Sequence, residues 1–132
     1  MVKIGELALR TGCRVQTIRY YEREGLMPEP VRTETNYRLY NDTHAERLGF
    51  IRRCRALDMT LEEIRVLLSV YDSPGISCTE VNSLVDEHLE HVESRIEQLN
   101  ELRESLVRLR AKCHGNSDSR SCGILSALAG SG

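Results

Sequence analysis

Residues 77–113 read Ser77-Cys78-Thr79-Glu80, then VNSLVDEHLEHVESRIEQLNELRESLVRLRAK over 81–112, then Cys113. The run holds no Pro or Gly. Val85, Val92, Leu99 and Leu106 recur every seventh residue, and Leu102 and Leu109 follow three residues after the last two. A heptad-like apolar stripe of this kind predicts a long helix that pairs with another helix. Cys113 continues the stripe seven residues beyond Leu106. Ser77 and Glu80 have capping-box spacing, which places Cys78 in the first turn.

The spacing has a geometric consequence. Cys113 lies 35 residues after Cys78. At a rise of about 1.5 Å per residue the two thiols stand roughly 50 Å apart along one helix. They cannot share a ligand within one chain. If two such helices pair antiparallel, Cys78 of one copy lies beside Cys113 and Cys122 of the other. A two-fold axis then generates two equivalent three-sulfur sites.

The rest of the chain is short and poor in aromatics. Its 132 residues include no Trp and one Phe, Phe50, too little for a large aromatic core. Dimerisation would supply the missing apolar burial. The start, Met1-Val2-Lys3-Ile4, does not read as a signal peptide, and no apolar run approaches the length of a membrane span, so a cytoplasmic protein without membrane contact is expected. Five cysteines are an odd number. Without export signals they read as reduced thiols with packing, metal or redox roles rather than as a disulfide framework. The net charge of −2 is unevenly spread. Residues 1–55 carry 11 Lys/Arg against 7 Asp/Glu, giving +4, and residues 56–132 carry 7 against 13, giving −6. A basic front half points to a polyanionic partner.

Taken in order, Ile4 to Leu9 predicts a short helix, Thr11-Gly12-Cys13 a tight turn, and Val15 to Glu24 a second helix stopped by Gly25. On the second helix Ile18 and one tyrosine face inward, while Arg14, Gln16, Thr17, Arg19 and Tyr20 face out. Cations and hydroxyls of this kind suit phosphates and base edges. Pro28 and Pro30 end helicity. Val31 to Tyr40 reads as a small wing around Thr33-Glu34-Thr35-Asn36, with Tyr37-Arg38-Leu39-Tyr40 as its return strand. Thr43 to Leu57 predicts a helix with Thr43 and Glu46 as its capping box. Leu48, Ile51 and Cys54 form its inner face, and Arg47, Arg52, Arg53 and Arg55 lie outside. Thr60 and Glu63 predict a further capping box ahead of the apolar set Leu61, Ile64, Leu67 and Leu68. Asp72-Ser73-Pro74-Gly75 links to the long helix, and Gly123 to Leu128 reads as a last turn or two. The expected fold class is mainly α. A winged helix-turn-helix domain (1–70) and a linker (71–79) lead into a dimerisation helix of antiparallel coiled-coil type (80–112). A metal-binding loop with a short helix (113–132) completes the chain.

Ile4-Gly5-Glu6-Leu7-Ala8, Thr17-Ile18-Arg19-Tyr20-Tyr21-Glu22, Gly25-Leu26, Asn36-Tyr37-Arg38-Leu39-Tyr40 and Leu57-Asp58-Met59-Thr60-Leu61-Glu62-Glu63-Ile64 together resemble the MerR family of transcription regulators. The likeness covers nearly the whole chain. Cys78, Val81-Asn82, Asp86-Glu87-His88, Cys113 and Cys122-Gly123-Ile124-Leu125 resemble its cadmium- and lead-responsive branch, the CadR and PbrR regulators. The eight residues between Cys113 and Cys122 look more like the lead regulators. The resemblance implies a homodimer on a palindromic operator, inside a promoter whose spacer is too long. It also implies that metal binding makes the dimer bend and untwist the DNA until RNA polymerase engages both promoter elements.

Within that resemblance Cys78, Cys113 and Cys122 are the expected metal ligands. Soft thiolates suit Pb(II), Cd(II), Zn(II) and Hg(II) over Mg or Ca. Three sulfurs suit lead, whereas cadmium or zinc would take a fourth donor such as water or His114. Cys13 and Cys54 read as small core residues. His88 and His91 can share a helix face, and His44 carries no signal beyond a helix start. Expected DNA contacts are Arg19, Tyr20, Tyr37 and Arg38 to phosphates and Arg14, Gln16 and Thr17 to bases. Val85, Val92, Leu99, Leu102, Leu106 and Leu109 are expected at the dimer interface. The alternatives are a cytosolic thiol-based metal buffer or chaperone and a thiol-oxidation sensor. The wing and the arginines argue against the first. No nucleophile–base pairing points to an enzyme.

Overall fold

The computed structural model describes residues 1–75, 77–113, 115 and 118–130. It is mainly helical: α1 (Ile4–Thr11), α2 (Val15–Arg23), β1 (Val31–Arg32), β2 (Arg38–Leu39), α3 (Asp42–Ala56), α4 (Leu61–Tyr71), α5 (Thr79–Arg110), one 3₁₀ turn (Ser119–Ser121) and α6 (Gly123–Leu128). The chain divides into two compact units, Met1–Leu84 and Val85–Gly132.

In the first unit α1 and α2 form the expected helix-turn-helix. Gly12 closes α1 at φ 70°, in the left-handed region that glycine adopts without a Cβ penalty. Arg52 of α3 donates to the Thr11 carbonyl, which gives the C-terminal end of α1 a cation. The core is one cluster, with Leu7, Ile18, Tyr40, Leu48, Ile51 and Ile64 at its centre. Fully burying a side chain of this size contributes roughly 1.5–3 kcal/mol. Ile18 and Tyr21 are the inward residues of α2, as its spacing requires. Leu48, Ile51 and Cys54 form the inner face of α3, and Ile64, Leu67 and Leu68 that of α4. Cys13 belongs to the same core. Burial pushes the Cys54 thiol up from its ordinary value, which keeps it protonated.

The wing is an antiparallel pair in which Val31 faces Leu39 and Arg32 faces Arg38. It is pinned to the chain start, where Val2 and Tyr40 exchange two backbone hydrogen bonds of 2.8 Å. Thr60 and Glu63 form the expected reciprocal capping box of α4.

Three details depart from the sequence reading. The α3 capping box is Asn41 with His44, not Thr43 with Glu46. Helix α3 begins one residue earlier, and Asn41 Oδ1 accepts from the His44 N–H while His44 Nδ1 accepts from the Asn41 N–H. His44 is accordingly no idle helix-start residue: it is 2% exposed, and its Nε2 lies 3.1 Å from the Glu29 carbonyl oxygen. Arg47 is drawn inward by a bidentate pair with Asp72 at 2.7 and 3.0 Å. Cys78 immediately precedes α5 rather than lying in its first turn. Its carbonyl accepts the first helical hydrogen bond, from the Asn82 N–H at 2.9 Å, and Ser77 Oγ caps the Thr79 N–H at 3.1 Å.

In the second unit the 3₁₀ turn is capped by Asp118, whose carboxylate accepts from the Arg120 N–H at 2.9 Å. Cys122 caps α6, its carbonyl accepting from the Ser126 N–H at 3.0 Å.

Candidate nucleic-acid interface and metal centre

Helix α2 and the wing face each other across an open groove of about 620 Å³. Arg19 and Arg23 line it from the helix, and Arg32 and Arg38 from the wing. Seven of the eleven arginines of this unit are already engaged: Arg10 with Glu6, Arg32 with Asn36, Arg38 with Glu22, Arg47 with Asp72, Arg65 with Glu24 and Glu62, and Arg52 and Arg55 with backbone carbonyls. Among the described residues Arg14, Arg19 and Arg23 take no hydrogen bond or ion pair. Arg53 of α3 is likewise without such a partner, so three of these free cations stand on α2 or at its N-cap and one on α3. Arg32 and Arg38 are direct cross-strand partners. Like charges opposite one another destabilise a strand pair, and a polyanion in the groove removes that cost.

Arg14 at the N-cap of α2 is exposed, as are Gln16, Arg19 and Tyr20 on the helix, and Thr17 is half-buried. On the wing Tyr37 and Arg38 are exposed, with Lys3 Nζ 5.2 Å from the centre of the Tyr37 ring. The wing tip turns at Asn36, a non-glycine residue at φ 68°. Arg32 donates to its side-chain oxygen at 3.1 Å, and Thr33 Oγ1 accepts from the Tyr37 N–H at 3.0 Å. Reading the sequence overlooked Arg23 and Arg32. Arg23 was accessible to it: four residues after Arg19, it shares that residue's helix face. Arg32 needed the strand register.

Glu22 also lines the groove, and it was not foreseen. It accepts from the Tyr40 hydroxyl at 2.5 Å and pairs with Arg38 at 3.5 Å. Burial, and then the hydrogen bond to Glu22, push the Tyr40 phenol up to about 12, so it remains a neutral donor.

The three cysteines singled out for metal are free thiols. Cys78 is exposed ahead of α5, and Cys113 and Cys122 are half-buried in the second unit. Cys113 follows the last turn of α5, its N–H donating to the Arg110 carbonyl at 3.2 Å. Gly123 sits against the Lys112 backbone so closely that a Cβ there would stand 2.3 Å from the Lys112 carbonyl oxygen. That approach brings the residue after Cys122 against the residue before Cys113. Soft ligands of this type fit a thiophilic divalent ion. Within a single chain no group of three His, Cys, Asp or Glu side chains converges among the described residues. His114 lies outside the described residues.

Among the described residues the apolar stripe of α5 is largely exposed. Val85, Val92, Leu99, Leu102 and Leu106 are each exposed to between 37% and 56%, and Leu109 is half-buried. Leu99, Leu102, Leu106 and Val107 line a shallow apolar depression on it. No helix is long and apolar enough to cross a membrane among the described residues.

Comparison with known proteins matches this architecture. The MerR HTH family regulatory protein profile matches residues 2–70, and the MerR DNA-binding profile matches residues 45–109. The crystal structure of the transcription regulator PbrR691 from Ralstonia metallidurans CH34 in complex with lead(II) is 52% identical, with a TM-score of 0.90, over 97% of this chain and 99% of that one. The structure of MerR from Bacillus megaterium MB1 in complex with mercury(II) ion is 35% identical, with a TM-score of 0.74, over 96% of this chain and 98% of that one. The transcriptional regulator ZntR of Escherichia coli K12 is 44% identical over 97% of this chain and 92% of its own length. With the helix-turn-helix, the wing and the long helix all in place, the chain belongs to the MerR family of helix-turn-helix transcription regulators.

Proposed function

We propose that the chain is a metal-responsive transcription activator, not an enzyme. It binds promoter DNA as a homodimer in the cytoplasm and distorts that DNA when Pb(II) or Cd(II) is bound, so that RNA polymerase engages the promoter and heavy-metal resistance genes are expressed. Zn(II) and Hg(II) are the other candidate effectors. The likeness to a lead-complexed regulator at 52% identity supports the lead branch. The observation that carries the DNA reading is the set of unpaired arginines on α2 facing a wing whose own arginines oppose each other. A metal buffer has no use for such a groove.

In this reading residues 1–70 form the DNA-binding unit, 71–79 the linker, 80–112 the dimerisation helix and 113–132 the metal loop. Arg19, Tyr20, Tyr37 and Arg38 hold phosphates, and Arg14, Gln16 and Thr17 approach base edges. The exposed stripe from Val85 to Leu109 pairs with its copy in an antiparallel coiled coil. Cys78 of one subunit then joins Cys113 and Cys122 of the other, because the 32 residues of α5 span about 48 Å. Three thiolates give a soft divalent ion its ligands, with His114 available as a fourth donor.

Two measurements test the reading. Duplexes selected by the pure protein from a randomised pool are expected to share a palindromic half-site pair. Titration of the apo-protein with each ion is expected to give thiolate-to-metal absorbance saturating at two ions per dimer. A protein that selects no sequence while still binding metal would instead be a buffer. Selection together with redox-dependent but metal-independent transcription would make it an oxidation sensor.

A further inference from the structure

Glu22 is one of two acidic residues, with Glu29, lining a groove that also holds four arginines. A carboxylate there repels phosphate, so its presence needs a reason. Its side chain is only 13% exposed, and taking a carboxylate this far from water is unfavourable unless its oxygens are satisfied. Both are engaged. Oε1 accepts from the Tyr40 hydroxyl at 2.5 Å, and Oε2 lies 3.5 Å from Arg38 Nη1. Tyr40 is fully buried and follows β2, and Arg38 is the first residue of β2. Glu22 lies on the turn of α2 between Arg19 and Arg23. One carboxylate therefore joins the helix that presents Arg19 and Arg23 to the strand that presents Arg38.

We infer that Glu22 is a positioning residue of the DNA interface. Resting on the DNA-binding reading above, it sets the wing against α2 and aims Arg38, so that helix and wing meet the duplex in one geometry. The negative charge lowers general attraction to phosphate but fixes where one of the four cations stands. Glu22 thereby exchanges non-specific affinity for specificity, since phosphate contacts fix register only when their donors are held in place. A charge with no positioning role would act oppositely: removing it would strengthen binding to every duplex alike.

The test compares Glu22→Gln with the wild-type dimer on two probes, the duplex selected by the wild-type protein and a random duplex of equal length. Gln keeps an oxygen for the Tyr40 hydroxyl but loses the charge that holds Arg38. Affinity for the selected duplex is expected to fall about tenfold, while affinity for the random duplex holds or rises. In an Arg38→Gln background the same change is expected to have less than half that effect on the selected duplex. Tyr40→Phe, which removes the hydroxyl and leaves the charge pair, is expected to lower the selected-to-random ratio in the same direction and serves if Glu22→Gln fails to fold. Equal loss on both duplexes, unchanged affinity for the selected duplex, or full additivity with Arg38→Gln would each overturn the inference. A wild-type protein that selects no duplex would instead overturn the DNA-binding reading itself.

Discussion

Gly123 stands so close to Lys112 that an added Cβ would meet the Lys112 carbonyl oxygen at 2.3 Å, well inside van der Waals contact. The clash is with backbone, which cannot rotate away as a side-chain tip can. Gly123 opens α6 and follows Cys122, while Lys112 precedes Cys113. The absence of a side chain at Gly123 is therefore what lets the two ends of the cysteine loop meet. Gly123→Ala is expected to spread the loop and weaken metal binding by about tenfold, or about 1.4 kcal/mol. DNA selection by the apo-protein is expected to be unaffected. Competition against a chromophoric chelator measures the first, and an unchanged metal affinity would mean that the loop closes without this contact.

The inter-subunit metal site has a complementation test. A Cys78→Ser chain is mixed with a Cys113→Ser, Cys122→Ser chain and allowed to exchange. In the heterodimer one site holds all three thiols and the other holds none. Each homodimer is expected to bind poorly, and the heterodimer to regain one strong site, half the wild-type stoichiometry. If ligands came from one chain, no mixture could restore binding. Absence of recovered thiolate–metal absorbance in a verified heterodimer would rule out the shared site.

Leu99 is 53% exposed midway along the stripe of α5. Burial against a second copy would make Leu99→Ala cost about 2–5 kcal/mol of dimer stability. Leu99→Asp places a charge in the same seam and is expected to yield monomers at micromolar concentration. Sedimentation velocity decides between these, and a dimeric Leu99→Asp protein would contradict the coiled-coil pairing.

Arg19 has no partner of its own among the described residues and lines the α2–wing groove. Arg19→Ala is expected to weaken binding to selected and random duplexes alike and to reduce the slope of log affinity against log salt by about one. Fluorescence anisotropy over a salt series reads both. Unchanged affinity at physiological salt would remove Arg19 from the interface.

The Tyr40 phenol gives an alkaline signature. In the folded protein it ionises near pH 12, whereas an unfolded tyrosine ionises near its ordinary value of 10. Between those values the unfolded state releases a proton that the folded state keeps. This part of the stability is therefore fully present below about pH 10 and lost as pH rises toward 12. The loss is on the order of 2 kcal/mol. Tyr40→Phe is expected to be less stable near neutral pH, having given up the bond to Glu22, but to show a shallower decline above pH 10. Denaturant midpoints across pH 8–12 measure it, and parallel declines would assign the alkaline transition to other groups.

Much of this molecule is set by local rules and could be read from the chain. Gly12 and Gly25 end helices because they supply a left-handed backbone, and Pro28 and Pro30 stop helicity outright. Thr60 and Glu63 cap α4 because both partners lie within one turn. The seven-residue recurrence from Val85 to Leu106 made both the length of α5 and its uncovered stripe foreseeable, since helical periodicity alone determines which residues share a face. The burial of Cys54 on the inner face of α3 followed from helical periodicity as well.

What the sequence could not decide depends on partners far apart in the chain. The spacing of Thr43 and Glu46 pointed to a cap for α3 that does not form. The choice fell to Asn41 because its partner His44 is also held by the Glu29 carbonyl, fifteen residues away. Glu22 and Tyr40 are eighteen residues apart, and Arg52 reaches a carbonyl forty-one residues away. Periodicity reports which way a residue faces, not what it meets there. Only packing α2, the wing and α3 around one core decided which cations were tied down and which were left free. By the same physics, Gly123 reads in the sequence as the start of a last helical turn or two, and only its contact with Lys112 makes it the closure of the cysteine loop.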